Sequence, residues 1–184
     1  MVAQPEPERD APGLPLLLTE TEFEGFHART ARPLWAYLRR IGGDEALADD
    51  VLQESYVKFL GHVTAGSDER EMRGFLYRIA TNLLRDRWRR EQRERLGLAG
   101  LLHFWTEESR GNAALRMDLD AALARLKTQD RALLWLAYVE GYEHREIAKI
   151  LDLAEKSVRV LLFRAKKKMA GYLGHLEAQR EVKS

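Results

Sequence analysis

The 184-residue chain has no cysteine, which excludes a disulfide framework, a thiolate metal site and a redox-sensing thiol. Proline is absent after Pro33, so no proline breaks a helix in the remaining sequence. No apolar run is long enough to span a bilayer. The leading stretch MVAQPEPERDAPGLPLLL lacks a basic start and carries acids before its leucine cluster, so it is a poor secretory signal and the cytoplasm is the expected location. Five histidines (His27, His62, His103, His144 and His175) include no metal-spaced pair. No nucleophile motif is present, and acidic neighbours such as Asp49 and Asp50 point to different helix faces. Neither catalysis, nor a metal, nor a cofactor is expected.

What remains is abundant Leu, Ala, Arg and Glu, a composition that favours helix nearly throughout. The net charge of +1 hides a separation along the chain. Residues 1–24 carry six acids against Arg9 alone. Arg85, Arg87, Arg89, Arg90, Arg93 and Arg95 crowd a second segment, and Lys156, Arg159, Arg164, Lys166, Lys167 and Lys168 form a third without an acid among them. Two basic segments far apart suit a polyanion touched at two places; solvated helix faces are the plainer explanation.

The pattern predicts an all-α fold of two small helical domains joined by a flexible linker: a tail at 1–19, a first domain at 20–95, a linker at 96–115, a second domain at 116–176 and a tail at 177–184. In the first domain, Phe23, Phe26, Leu34, Trp35, Leu38 and Ile41 recur at helical spacing and Gly42 and Gly43 end the run. Asp44 is placed to cap the next helix, whose stripe is Leu47, Val51, Leu52, Tyr56 and Phe59 or Leu60, with Ala48, Asp49, Gln53 and Lys58 outside it. GHVTAGSDEREMRG reads as a break. FLYRIATNLLRDRWRR follows as a helix with Phe75, Leu76, Ile79, Leu83 and Leu84 inward and Tyr77, Arg78, Thr81, Asn82, Arg85 and Trp88 among its more exposed positions. The 96–115 stretch is apolar for a linker, with Leu101, Leu102, Phe104 and Trp105.

In the second domain, HREIAKIL and EKSVRVLLFRAKKKM are two helices around the turn Asp152, Leu153, Ala154. Ile147, Ala148 and Leu151 face Val158, Leu161 or Leu162, Ala165 and Met169. This is a helix-turn-helix pattern, whose second helix can enter a major groove. Lys156, Ser157 and Arg159 occupy its leading end, and Arg164, Lys166, Lys167 and Lys168 suit phosphates. A purely structural hairpin would share part of the pattern.

Taken together, ADDVLQESYVKFL, FLYRIATNLLRDRWRR with Ile79, Ala80, Asn82 and Asp86 in register, and the helix-turn-helix block resemble, in order, regions 2 and 4 of bacterial sigma factors of the extracytoplasmic-function type. The resemblance implies a transcription initiation factor that binds core RNA polymerase, recognises promoter DNA and helps melt it. It implies that Asp49, Asp50, Gln53 and Glu54 meet the clamp helices of the beta-prime subunit. Tyr77, Arg78, Asn82, Arg85, Trp88 and Arg89 would serve promoter melting and the upstream single strand, with Arg87 and Arg90 as further phosphate holders. The recognition helix would read duplex through Lys156, Ser157, Arg159, Phe163, Arg164 and Lys167. The beta flap and an anti-sigma factor are further partners it implies; a small-molecule substrate is not.

The chain departs from the family pattern in places. Asp152 stands where glycine is usual, Ala154 where a Ser or Thr cap is usual, and Val160 and Leu161 where polar or basic residues are usual. The acidic loop before the third helix is also atypical. Two alternatives remain at this level: a helix-turn-helix regulator with a helical ligand or dimerisation domain, and a sigma-like polymerase adaptor without a melting role of its own.

Overall fold

A computed structural model describes residues 18–63, 68–96 and 122–181, with side chains as far as residues 90 and 174 in the last two stretches. The 1–17 tail, the 97–115 part of the linker and the last three residues lie outside the described residues. Every regular element described is a helix.

Helix α1 (Glu20–Gly42) begins at a capping box. The Thr19 hydroxyl accepts from the Glu22 amide, and the Glu22 carboxylate accepts from the Thr19 amide at 2.8 Å. Gly43 ends it with φ 78°, a left-handed conformation that glycine adopts at no steric cost. The Asp44 carboxylate accepts from the Leu47 amide at 2.6 Å and starts α2 (Glu45–Leu60), as the sequence predicts. Helix α3 (Glu69–Leu96) begins six residues before the expected Phe75. The acidic EREMR segment read as a break is its first turns, where glutamates complement the helix dipole. Gly74 is accommodated within it.

These three helices pack around Phe26, Leu34, Leu38 and Ile41 of α1, Val51 and Phe59 of α2, and Leu76, Ala80 and Leu84 of α3. Phe26 and Phe59 stack with ring centroids 4.9 Å apart. Ala48 is buried, not outside the stripe as expected; Leu60 is the exposed member of the Phe59 and Leu60 pair.

The second cluster contains a helical stretch at 122–124, α4 (Thr128–Tyr138), α5 (His144–Leu151) and α6 (Glu155–Glu181). Leu126, Leu133, Leu136, Ile147, Leu151, Val158, Leu162 and Ala165 form its interior. The expected inward faces of α5 and α6 hold, and Leu162 rather than Leu161 is the fully buried choice.

The two clusters touch, α1 against α4 and α3 against α5. Their apolar interiors are continuous. Tyr77 of α3 sits in this contact, with its ring centroid 5.1 Å from that of Tyr37 and 5.8 Å from that of Tyr142. Arg131 of α4 donates to the Ile41 carbonyl at 3.1 Å, and Arg85 of α3 donates to the Leu151 carbonyl at 3.1 Å. Each guanidinium satisfies a carbonyl left over at a helix C-terminus. Three residues expected to be exposed are therefore covered: Tyr77, Thr81 and Arg85 are all buried.

Candidate polymerase and nucleic-acid interfaces

Three helix faces carry the residues singled out in the sequence. The first is the acidic face of α2. Asp49, Asp50 and Gln53 are exposed and Glu54 is half-buried. The acids are not free-standing. The Trp35 indole N–H donates to Asp49 at 2.7 Å. Arg87 of α3 donates to Asp50 at 3.3 Å and to Glu54 at 3.0 Å, and Lys58 lies 3.3 Å from Glu54. The hydrogen bond from Arg87, followed by that from Lys58, holds the Glu54 carboxyl below its ordinary pKa. Arg87 was expected to hold phosphates; it faces α2 instead and ties the two helices together. The sequence reading placed Trp35 in an apolar stripe and Arg87 among phosphate holders, and missed that both support the acids of α2. Their signal is indirect, since nothing in a linear pattern pairs positions that far apart. Beside the acids, an open groove between α1 and α2 is lined by Phe23, His27, Leu52, Tyr56, Val57 and Leu60. Val57 is largely exposed.

The second face belongs to α3, and the structure divides its candidates in two. Arg78, Asn82 and Arg89 are exposed, and Trp88 is half-buried. The Arg78 guanidinium lies 5.2 Å from the centre of the Phe75 ring, and Arg89 lies 3.6 Å from Asp86. Tyr77 and Arg85, by contrast, are turned into the contact with the second cluster. The Tyr77 hydroxyl is buried with no hydrogen-bond partner among the described residues. Burial, then the nearby charge of Glu140, pushes its phenol far above the ordinary value. Burial, then the like charge of Arg89, lowers the pKa of Arg85. Arg131 is buried too and its pKa falls to about 10 by desolvation.

The third face is the outer side of α6. The turn before it closes as expected: Asp152 is left-handed, with φ 54° and ψ 54°, and the Leu153 amide donates to the Ala148 carbonyl at 2.9 Å. Lys156, Arg159, Phe163, Arg164 and Lys167 are exposed and Ser157 is half-buried. Val158, Leu162 and Ala165 occupy the opposite, buried side. Two lysines expected to serve phosphates have other neighbours. Lys168 pairs with Asp130 of α4 at 2.5 Å, and Lys166 lies 5.3 Å from the centre of the Tyr138 ring. The free cationic face is thus narrower than the sequence run: it is concentrated on Lys156, Arg159, Arg164 and Lys167.

Among the described residues no cluster of ionisable side chains could hold a metal ion, and no helix is long and apolar enough to cross a membrane.

Residues 26–94 match Sigma-70 region 2, and residues 116–169 match Sigma-70, region 4. ECF RNA polymerase sigma factor SigL of Mycobacterium tuberculosis is 34% identical over 135 residues, which span 70% of this chain and 76% of that protein. The structure of CnrH in complex with the cytosolic domain of CnrY superposes with a TM-score of 0.59 at 26% identity, covering 85% of this chain and 90% of that one. The sigma factor RpoE of Bartonella quintana, solved with the anti-sigma factor NepR, shares the fold with a TM-score of 0.67 at 18% identity, covering 84% of this chain and 98% of that one.

Proposed function

This chain belongs to the extracytoplasmic-function sigma factors of the sigma-70 family, and from that premise we propose how its three faces divide the work of starting transcription. As a sigma factor it binds core RNA polymerase and promoter DNA and performs no catalysis itself. The acidic face of α2 (Asp49, Asp50, Gln53 and Glu54) docks on the basic clamp helices of the polymerase beta-prime subunit. The apolar groove beside it adds buried area to a contact whose charges mainly set register. The exposed edge of α3 takes the upstream single strand. Asn82 has an amide that can read an unstacked base, while Arg78 and Arg89 hold the strand's phosphates. The outer face of α6 grips duplex, and the beta flap supports the second cluster on the enzyme.

The observation that carries this reading is the geometry of α6. Four exposed cations share its outer face, its inner face is sealed by Val158, Leu162 and Ala165, and the left-handed turn at Asp152 leaves its leading end projecting. That is the arrangement a groove-entering helix requires. A regulator that dimerises and binds DNA alone would account for 116–169 but leaves the match at 26–94 without a purpose.

Tyr77 and Arg85 are the remaining melting candidates, and both are covered by the second cluster. In this reading they become available when α5 separates from α3 on the polymerase. A tyrosine ring stacks on an unpaired base and Arg85 takes a phosphate in place of the Leu151 carbonyl. The domain limits expected from the sequence fit such a separation, with the 96–115 segment as tether. The factor works in the cytoplasm, and an anti-sigma protein is its regulatory partner.

Purified chain mixed with core polymerase should initiate from specific sites in genomic DNA, whereas the chain alone should not select them. Gln53→Lys touches no intramolecular ion pair and should weaken core binding at unchanged melting temperature. Normal core affinity in Gln53→Lys and in Asp50→Lys would remove the docking face from the proposal.

A further inference from the structure

We propose that Val160 and Phe163 form an apolar reading head for the C5-methyl groups of thymine in the duplex element gripped by α6. This rests on the assignment of α6 as the duplex-reading helix.

Val160 is 48% exposed and Phe163 67% exposed, although the other large apolar groups of α6 whose side chains are described are half-buried or buried. They lie three residues apart, so they share one helix face. The cations Lys156, Arg159, Arg164 and Lys167 flank them, and no acid occurs between Lys156 and Lys168. The patch therefore has an apolar centre and a positive rim. The major groove of DNA is its complement: phosphates line both walls, and the floor presents base edges.

Among the major-groove features of the four base pairs, only the thymine methyl is apolar. The Val160 side chain neither donates nor accepts a hydrogen bond. Against guanine, adenine or cytosine it would take water from polar base edges without replacing their hydrogen bonds, which is unfavourable. Against thymine it gains buried methyl contact. The axial rise between positions 160 and 163 is about 4.5 Å. Base pairs are spaced about 3.4 Å apart, so the two side chains reach neighbouring steps rather than one. Val160 lies six residues into α6 and Phe163 nine, within the leading part of the helix that enters a groove.

The holoenzyme, formed with core polymerase, is used to select duplex elements from a randomised promoter library. Each thymine of the selected element is then replaced by deoxyuridine, which lacks only the methyl group. One or two positions should lose about fourfold in affinity, the expected worth of one buried methyl. The Val160→Ser, Phe163→Ser double variant should bind thymine and deoxyuridine promoters alike while keeping its core affinity. Both side chains are exposed, so its melting temperature should match the parent's. Equal binding of the two promoter forms by the parent, or a methyl effect that survives in the double variant, overturns the inference while leaving the duplex-reading assignment intact. Loss of core affinity with unchanged DNA preference makes the patch a polymerase contact and also overturns it. Failure of the holoenzyme to select any duplex element overturns the assignment of α6 itself.

Discussion

The guanidinium of Arg70 on α3 forks onto the carboxylate of Glu146 on α5, with Nε to Oε1 at 2.5 Å and Nη2 to Oε2 at 2.7 Å. The same Nη2 also donates to the Gly141 carbonyl at 3.0 Å. Glu146 is also used by its own helix, accepting from the Glu143 amide at 2.7 Å. One carboxylate thus caps α5 and fastens it to the other cluster. Arg73 reinforces the contact at the Glu140 carbonyl and carboxylate, both at 3.3 Å.

Arg70→Glu should loosen α5 from α3 without unfolding either cluster. The Arg70 side chain is about half exposed, so its ion pair contributes less than about 1 kcal/mol. The effect should appear as faster amide exchange in α5 and a larger radius by solution scattering. Adding Glu146→Arg should restore the compact form; a swap that fails to do so would show that charge pairing is not what joins the helices.

Two buried tyrosines should respond to different degrees to loss of their hydroxyls. Tyr37 bonds Thr81 Oγ1 at 2.8 Å, so Tyr37→Phe should cost about 1 kcal/mol. The Tyr77 hydroxyl is buried with no hydrogen bond of good geometry among the described residues and with the Glu140 carboxylate acting on it, so Tyr77→Phe should cost less than Tyr37→Phe. Tyr77→Ala should cost about 3–5 kcal/mol through the cavity it leaves. Denaturant melts of the three variants check the order.

Stability should fall on the alkaline side. Burial raises the phenols of Tyr37, Tyr77 and Tyr142 above the ordinary value of 10.0. The folded chain then holds these protons more tightly than the unfolded chain. Their contribution is complete below pH 10.0 and is lost as pH rises from there toward the folded-state values. Phenolate absorbance should accordingly rise together with loss of helical circular dichroism. Full ionisation of every tyrosine in a still-folded chain would contradict the burial.

The turn before α6 leaves room for improvement. Asp152→Gly relieves a left-handed non-glycine residue, and Ala154→Ser adds an N-cap hydroxyl where α6 begins. Each should raise stability by about 0.5–1 kcal/mol, read as an increase in melting temperature.

Asn82→Ala removes an exposed amide and should leave the melting temperature unchanged. In permanganate footprinting of the holoenzyme it should reduce strand opening several-fold while duplex binding persists. An equal loss of both would place Asn82 outside the melting step.

Helix type and order were legible because each helix carries an apolar stripe at its own period, and the stop at Gly43 and the cap at Asp44 are local chemistry. The misreadings share a different cause. A period reveals one buried face, whereas α3 has two: Leu76 and Leu84 face the first cluster, and Tyr77 and Arg85 meet the second. Ala48 escaped notice because alanine is too small to mark a stripe. Arg87 and Lys168 look like solvated cations in a linear run, and only the fold shows the distant acids Asp50 and Asp130 beside them. Gly66 and Gly74 marked a break that α3 runs through at Gly74, since a single helical glycine costs only about 1 kcal/mol.

If Arg85 takes a strand phosphate as proposed, the Leu151 carbonyl that it now bonds is an internal competitor for the same guanidinium. One guanidinium nitrogen cannot serve a backbone oxygen and an incoming phosphate along the same direction at once. On the proposed role of Arg85, a strand that recruits it would first have to displace a neighbour tethered at high effective concentration, so brief or poorly seated encounters would be rejected before they mature.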